Sequence, residues 1–180
     1  MTLFRRRNLA KYETASSQKD APRGIIIDRI SFCLAGIDGQ STLARMKIFI
    51  SMKAIRSDVQ LASVASALDS AIRTQGHEPF IATQEIANKG MTSPQAFMPF
   101  VREHLATCDL CIVIYHPELR GGLIEAGIAY ERRIPIWLCH KADEKVSSSM
   151  LGCADVVLTY NDVNDLQEKI KEKFTSLRTK

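Results

Sequence analysis

Residues 109–136 have the sequence DLCIVIYHPELRGGLIEAGIAYERRIPI, and this stretch decides the fold of the chain. Its first apolar run, residues 110–115, is short and rich in β-branched side chains, which is typical of a strand buried on both faces of a sheet. A loop with Gly121 and Gly122 follows, then a helical segment, and then a second apolar run from Ile134. Strand, glycine loop, helix and strand form one βαβ unit. In sheets built from such units, ligands bind at the carboxyl ends of the strands.

The chain alternates between short apolar runs and amphipathic segments from Met46 onward. Helices are predicted after Ser57 or Asp58, after Ser93, in the segment that contains Ile124, Ile128 and Arg132, as a short turn or helix at 148–153, and after Asn161 or Asp162. A polar loop is predicted at 83–93. Strands are predicted at 47–51, 79–82, 110–115, 134–139 and 155–159. This alternation predicts an α/β protein with a flavodoxin-like, doubly wound, five-stranded parallel sheet in the strand order 2-1-3-4-5.

The amino-terminal residues differ in composition from the rest of the chain. Residues 1–45 begin polar and basic and show no sustained hydrophobic period. We predict that they form a largely disordered extension, or that the native start lies later. The apolar runs at 25–27 and 30–34 leave open an added strand. Residues 46–180 are predicted to form the whole folded domain.

Charge and composition limit the classes of partner. The formal net charge is +4 over 180 residues, and much of the positive charge lies at the two ends. No basic stripe interleaved with aromatic residues occupies the middle, so no nucleic acid polymer is predicted as a partner. No apolar run is long enough to span a membrane, so no membrane partner is predicted either. The five cysteines lie mostly in apolar, strand-like contexts, which predicts reduced thiols in a cytoplasmic protein.

A zinc site is the alternative for His104, Cys108 and Cys111. The two cysteines are separated by only two residues, but they span a predicted helix end and an apolar strand. No second pair of ligands follows at the spacing that zinc fingers need. The sequence therefore predicts no metal.

Glu125 is the candidate catalytic residue. It lies four residues after Gly121, where an exposed acid would gain only from the helix dipole. Its neighbours Leu123, Ile124 and Ala126 are apolar or small, which is unlike a solvated helix face. The preceding glycine pair lets a ligand approach the backbone closely. A carboxylate held in a partly apolar cleft at a strand end can serve as a nucleophile or a base.

Two segments of the chain resemble a known family. Residues 121–129, GGLIEAGIA, lie between two apolar strands and are similar to the catalytic segment of the nucleoside 2-deoxyribosyltransferase family. The nearest branch is that of the nucleoside 5′-monophosphate N-glycosidases, the deoxynucleoside phosphate N-hydrolases. Residues 146–154, VSSSMLGCA, are similar to the family's Ser-x-Met…Gly-Ala segment, with one residue fewer. The resemblance covers the chain from about Met46 to the carboxyl terminus.

The resemblance implies that Glu125 is the nucleophile that attacks the anomeric carbon of a (deoxy)ribosyl N-glycoside and releases the base, with no cofactor. Water as the acceptor gives a hydrolase, and a second base gives a transferase. The partner is then a small-molecule nucleoside or nucleotide. Seven residues are implied in substrate binding: Phe49, Ser51, Met52, Arg120, Gly121, Gly122 and Ser148.

Ser148 matches a serine that reaches the 5′-phosphate bound by the neighbouring subunit, so the resemblance implies a homodimer with shared active sites. Small and apolar residues in the helix after strand 3, namely Ala126, Ala129 and Tyr130, are predicted to face the second copy. The chain departs from the family where a phosphate-binding serine is replaced by Leu119. Arg120 is then expected to contact the phosphate instead.

Several alternatives remain open at this stage. Arg120 is equally well an exposed loop arginine, and Ser148 is equally well a helix N-cap. His116 is interpreted as a loop residue, with general acid for the leaving base as the alternative. Asp109 is predicted to make a structural contact to nearby backbone. The chain as a whole has two alternative functions, a nucleotide-binding module without turnover and a TIR-like enzyme that cleaves NAD.

Overall fold

A computed structural model describes residues 44–54 and 58–178 of the chain. A five-stranded sheet lies at its centre, with every neighbouring pair of strands parallel and the order β2-β1-β3-β4-β5. The strands are β1 (Lys47–Ser51), β2 (Glu78–Ile81), β3 (Leu110–Ile114), β4 (Ile136–Lys141) and β5 (Val156–Tyr160). The predicted fold class and strand order are confirmed.

Six helices cover the two faces of this sheet within the described residues. They are α1 (Val59–Thr74), α2 (Ala82–Asn88), α3 (Pro94–Ala106), α4 (Gly121–Glu131), α5 (Ser148–Cys153) and α6 (Val163–Arg178). Side chains from α1 and α6 pack in one buried cluster with one face of the strands. Buried side chains from α2, α3, α4 and α5 pack in a second cluster on the opposite face. Successive strand residues therefore alternate between the two cores, as the pleat of a strand requires.

Helix α1 follows the sequence signals closely. The side chain of Asp58 accepts hydrogen bonds from the backbone N–H groups of Gln60 and Leu61, which caps the helix start. The predicted stripe of Leu61, Ala65, Leu68 and Ile72 is buried against the sheet. Gly76 follows the helix at a φ of 83°, a conformation that glycine adopts without a steric penalty.

The predicted polar loop at 83–93 is wrong over its first half, because α2 occupies residues Ala82–Asn88. This segment contains helix-forming residues and neither glycine nor proline, and Ala82 is fully buried beneath its first turn. The helix ends at Asn88, and Gly90 follows two residues later with a φ of 62°. Ala82 and the partly buried Ile86 thus attach α2 to the second core, although most of its other side chains are polar.

The strand boundaries also differ from those predicted. Strand β4 begins at Ile136 rather than at Ile134, and it extends to Lys141. The chain enters it through Arg133, whose φ is 57°, so these residues close α4 before pairing begins. Strand β5 ends at Tyr160, one residue later than predicted.

The predicted start of the domain lies at the edge of the described residues. Met46 is 2% exposed, and its carbonyl accepts a hydrogen bond from the N–H of Glu78 at the start of β2. The predictions for residues 1–43, including the added strand, lie outside the described residues. Among the described helices, none is long and apolar enough to cross a membrane.

Candidate active site

The candidate site lies where β1 and β3 end beside each other. Ser51, the last residue of β1, is in register with Val113 near the end of β3. The chain leaves β1 toward β2 on one side of the sheet, whereas β3 leads to β4 on the other side. This reversal of strand order opens a crevice at the carboxyl ends, where open α/β sheets bind their ligands.

Glu125 reaches this crevice from α4 and contacts Ser51. The hydroxyl of Ser51 donates a short hydrogen bond to Oε2 of Glu125. Ser51 is fully buried, and Glu125 is only 8% exposed. A carboxylate with so little access to water is uncommon unless it is paired, and here its partner is a neutral hydroxyl rather than a cation. Such an arrangement is typical of a functional acid.

The surroundings of Glu125 shift its titration. Burial raises the pKa of the Glu125 carboxyl because the charged form loses its hydration, and the hydrogen bond from Ser51 partly opposes that rise. The carboxyl therefore titrates closer to neutral pH than an exposed glutamate does. The hydrogen bond from Ser51 favours the ionised form, which is the form that a nucleophile needs.

Tight packing at the start of α4 positions Glu125. A Cβ placed on Gly122 would lie 2.6 Å from Cγ of Leu119, so only glycine fits at this position. Leu119 is 4% exposed and packs in the same core as Ala126. Leu119 is therefore a core residue. It anchors the first turn of α4 to the sheet.

The first turn of α4 faces the loop that follows β3. Arg120 occupies the N-cap position, and its side chain makes no capping hydrogen bond to the N–H groups of the first turn. Gly121 is exposed, and a Cβ there would have no heavy atom within 4 Å. Arg120 is also exposed. Together they offer an arginine and free backbone donors, which suits an anionic group.

An ion pair joins the loops on either side of the crevice. Nζ of Lys53, two residues after Ser51, lies 2.5 Å from Oε2 of Glu118 in the loop after β3. His116, in the same loop, accepts a hydrogen bond at Nδ1 from the N–H of Glu118. Sequence analysis did not identify Lys53 or Glu118 as site residues. The two residues lie 65 positions apart in the chain, and neither belongs to a local motif.

Two residues implied in substrate binding lie inside the cores. Phe49 is fully buried and stacks on Phe80, with the ring centroids 5.5 Å apart. Met52 is 3% exposed and packs in the core beneath α1. The side chains of Phe49 and Met52 thus have almost no surface for a ligand. Phe49 lies within β1 and Met52 directly after it, and the two pack in different cores.

Ser148 is exposed at the first position of α5, and the N-cap of that helix is Ser147. The hydroxyl of Ser147 accepts a hydrogen bond from the N–H of Met150. The alternative interpretation, that Ser148 is the N-cap, is therefore wrong by one residue. The hydroxyl of Tyr115, after β3, donates to the carbonyl of Lys145, which ties the loop before α5 to the loop that follows β3.

The predicted self-association face must be corrected. Ala126 and Ala129 are 2% and 0% exposed, because they lie on the side of α4 that packs on the sheet together with Glu125. The exposed apolar side chains on this part of the surface are Leu123, Ile124 and Tyr130 of α4 and Leu151 of α5. Of the predicted face, Tyr130 alone remains available.

Two further predictions concern a structural contact of Asp109 and a metal site at His104, Cys108 and Cys111. Oδ2 of Asp109 accepts a hydrogen bond of 2.8 Å from the N–H of Lys47, so the predicted structural contact is confirmed. His104 and Cys108 lie on or near the end of α3, whereas Cys111 is fully buried within β3. Over the described residues, no group of three or more His, Cys, Asp or Glu side chains is placed to hold a metal ion.

A separate cavity of about 490 Å³ opens beside β2. Lys47 and Glu78, the first residues of β1 and β2, lie in its wall, so it is located at the amino ends of these strands. Glu125 lies at the opposite, carboxyl ends. The buried Glu125 carboxylate and this cavity therefore do not coincide. The Ser51–Glu125 crevice is the candidate site because, among the described residues, Glu125 is the buried acid that lies at the switch point of the sheet.

No protein-family model and no curated protein sequence matches this chain. Several solved structures are similar to it. The CMP N-glycosidase BcmB of Clostridium botulinum has a TM-score of 0.56 and 18% identity, over 71% of this chain and 98% of that one. A 2-deoxyribosyltransferase of Bacillus psychrosaccharolyticus has a TM-score of 0.52 and 21% identity, over 67% of this chain and 90% of that one. The solution structure of BlsM has a TM-score of 0.58 and 18% identity, over 74% and 91% of the two chains. At these identities the likeness shows a common fold, which is the fold implied by the sequence resemblance.

Proposed function

We propose that this protein cleaves the N-glycosidic bond of a (deoxy)nucleoside 5′-monophosphate and releases the base, with Glu125 as the nucleophile. The observation that supports this function best is the nearly buried Glu125 carboxylate at the switch point, held by the hydroxyl of Ser51. The fold shared with a CMP N-glycosidase and a 2-deoxyribosyltransferase supports the same class of chemistry. A binding module without turnover would have no need for an acid with a raised pKa at this point.

The reaction is a double displacement at the anomeric carbon. The carboxylate of Glu125 attacks C1′ as the bond from C1′ to the base nitrogen breaks, and the base leaves with the bonding electrons and takes a proton from solvent. The transition state resembles an oxocarbenium ion, so a carboxylate beneath C1′ stabilises its positive charge. Water then attacks the glycosyl ester at C1′ and releases one proton to solvent, and Glu125 leaves as a carboxylate. Ser51 keeps the attacking oxygen oriented through both steps.

Arg120 and the start of α4 support a 5′-phosphate on the substrate. The backbone N–H groups of the first turn of α4 have no side-chain cap, and a helix start favours negative charge. The guanidinium of Arg120 can donate two parallel hydrogen bonds to a phosphate. This pair replaces the serine that the family uses where this chain has Leu119.

A transferase is the second candidate, because one of the similar structures is a 2-deoxyribosyltransferase. The two activities share the first displacement and differ in the second, where a base rather than water attacks C1′. A site that keeps water away from the glycosyl ester would favour attack by a second base over hydrolysis. Supplying a second base during turnover and measuring the new nucleoside separates the two outcomes.

We further propose that the active form is a homodimer in which Ser148 approaches the phosphate bound by the second copy. Leu123, Ile124 and Tyr130 are 49%, 54% and 59% exposed on α4, and Leu151 is 43% exposed on α5, the helix that begins with Ser148. Four large apolar side chains on two helices of the active-site face form a surface that a second copy could cover.

The decisive experiment is a screen for base release. Purified protein is incubated with the common ribo- and deoxyribonucleosides, with and without a 5′-phosphate, and with NAD. Free base is then separated by chromatography. We expect release from at least one 5′-monophosphate, and a loss of at least about 10³-fold in the rate for Glu125→Gln. Glu131→Gln, an exposed acid at the end of the same helix, is the matched control and should retain full activity.

If nucleosides are turned over and the corresponding 5′-monophosphates are not, the substrate is a nucleoside rather than the proposed 5′-monophosphate. Release of nicotinamide from NAD would favour the NAD-cleaving alternative. If nothing in the panel turns over, the proposed function is wrong and a binding module becomes the better explanation.

A further inference from the structure

The ion pair between Lys53 and Glu118 has a particular place among the ion pairs of the described residues. Three of the others lie within single helices, and one joins Arg45 to Glu78 at the amino ends of the strands. The Lys53–Glu118 ion pair alone connects two loops at the carboxyl ends, where it crosses the crevice between β1 and β3. The ion pair therefore lies between the loops that follow β1 and β3.

Glu118 is the centre of a small cationic cluster. Its carboxylate accepts a hydrogen bond from Lys53, and its pKa is lowered by Lys53 first, with smaller contributions from the nearby charges of His116 and Arg120. The side chain of Lys53 is 31% exposed, whereas that of Glu118 is 70% exposed. The carboxylate can therefore swing out into water, while the lysine is partly confined by its surroundings. Lys53, His116 and Arg120 then remain near the position that the carboxylate has left.

We propose that Glu118 occupies the position of the substrate's anionic group in the free protein, and that Lys53 exchanges this carboxylate for the substrate's phosphate on binding. This inference rests on the proposed function for the identity of the substrate. Lys53 then determines specificity together with Arg120, and it compensates for the phosphate ligand lost at Leu119. No covalent bond changes in the exchange. One anion replaces another beside the same ammonium group.

The exchange selects for charge. An ion pair at the surface is screened by solvent and contributes little to stability, so a ligand can displace Glu118 at small cost. A carboxylate has one negative charge, whereas a phosphate monoester has nearly two at neutral pH and three acceptor oxygens. A phosphorylated ligand outcompetes Glu118, while a neutral nucleoside leaves the Lys53–Glu118 ion pair in place across the crevice. The internal carboxylate thus discriminates against unphosphorylated nucleosides.

The test measures the binding of inorganic phosphate by calorimetry, which needs no turnover. We expect Glu118→Gln to tighten phosphate binding by about three- to tenfold, because the competing anion is gone. Lys53→Met should weaken it by about tenfold through loss of a charge-assisted hydrogen bond. In the Lys53→Met background, the gain from Glu118→Gln should shrink, because the two residues act through one contact.

The chain provides a matched control in Lys171 and Glu168 of α6. Their Nζ–Oε1 distance is 3.0 Å and their exposures are 31% and 63%, so this ion pair has nearly the same character as the Lys53–Glu118 ion pair. Glu168→Gln and Lys171→Met should leave phosphate binding unchanged within about twofold, because exposed charges at a distance are screened by salt. An equal effect in these controls would reveal a general charge effect and overturn the exchange.

The inference and the proposed function fail in different ways. Absence of base release from every substrate, with the expected changes in phosphate binding, would refute the function and leave the anion exchange standing. Base release with phosphate binding that Glu118→Gln does not tighten, or that it tightens equally in the Lys53→Met background, would refute the exchange alone. For a turnover substrate, Glu118→Gln should lower KM for the 5′-monophosphate and leave kcat nearly unchanged.

Discussion

The hydroxyl of Ser51 donates a hydrogen bond to the carboxylate of Glu125, and this contact joins the last residue of β1 to the second turn of α4. The two residues are 74 positions apart in the chain. Both are buried, so the contact is shielded from water and its electrostatic effect on Glu125 is larger than the same contact would have at the surface. The parallel pairing of β1 with β3 brings the two elements together.

Ser51→Ala should shift the pH dependence of catalysis. The hydrogen bond from Ser51 opposes the effect of burial on the pKa of Glu125, so its loss should raise that pKa further. Because the nucleophile must be ionised, the acidic limb of kcat/KM should move to higher pH. A hydrogen bond to a charged group contributes about 1.5–3 kcal/mol, so activity at neutral pH should fall by roughly ten- to a hundredfold. Ser66→Ala, at an exposed position of α1, is the control. If the acidic limb of kcat/KM does not move in Ser51→Ala, Ser51 does not affect the pKa of Glu125.

Glu125→Gln should change how stability depends on pH. The pKa of Glu125 is raised in the folded protein, so its contribution to stability is full below the usual value of 4.5 and is lost as pH rises through the raised value. Glutamine stays neutral and can still accept the hydrogen bond from Ser51. The melting temperature of Glu125→Gln minus that of the wild type should therefore increase as pH rises above 4.5. This difference should become constant above the raised pKa. The exposed control Glu131→Gln should show no such trend. If the melting temperature of the wild type instead increases relative to that of Glu125→Gln as pH rises, burial does not raise the pKa of Glu125.

Gly122→Ala should destabilise the fold at the site. The new Cβ would meet Leu119 at 2.6–2.7 Å, which forces a buried side chain to move at a cost of about 1–3 kcal/mol. Gly127 lies on the same helix with no heavy atom within 4 Å of its Cβ position, so Gly127→Ala should stabilise by roughly 0.5–1 kcal/mol. Urea unfolding measures both changes. The cost of Gly122→Ala should fall in a Leu119→Ala background, and an unchanged cost would mean that the clash with Leu119 is not its source.

The βαβ unit around Glu125 was predictable because its signals are local. An apolar run, a glycine pair and small helix residues each occur within a few positions, and the strand order follows from the handedness of the connections. The meeting of the loops after Ser51 and Tyr115 followed from that strand order. The crevice is therefore a consequence of the topology, and Glu125 was chosen as the candidate through its apolar neighbours and the family resemblance.

The errors of prediction have different physical causes. Helix α4 is apolar on almost every side, so no periodicity in the sequence distinguished Ala126, which packs on the sheet, from Ile124, which is exposed. The Lys53–Glu118 ion pair depends on the geometry of two loops, and charged residues in loops have no pattern that predicts a partner. Helix α2 was missed because its mostly polar side chains suggested a loop, although Ala82 and Ile86 pack against the second core.

The proposed homodimer makes the last prediction. Leu123, Gly127 and Tyr130 recur at spacings of four and three residues, so they share one face of α4, and all three are exposed. A charge in the centre of an apolar interface is costly unless it is paired, so Tyr130→Glu should convert a dimer into a monomer at micromolar concentration. Sedimentation velocity measures this change. Val59→Glu is the matched control, because Val59 is an apolar residue of α1 that is 81% exposed outside the α4–α5 surface.

Activity then distinguishes a shared active site from a mere contact. If Ser148 approaches the phosphate in the second copy, the Tyr130→Glu monomer should lose activity toward the 5′-monophosphate, and Ser148→Ala should raise KM for that substrate without dissociating the dimer. The effect should be smaller for the corresponding nucleoside, which has no phosphate for Ser148 to contact. A wild-type monomer with full activity, or a Tyr130→Glu monomer as active as the wild type, would show that each chain contains a complete site and that the exposed side chains of α4 have another purpose.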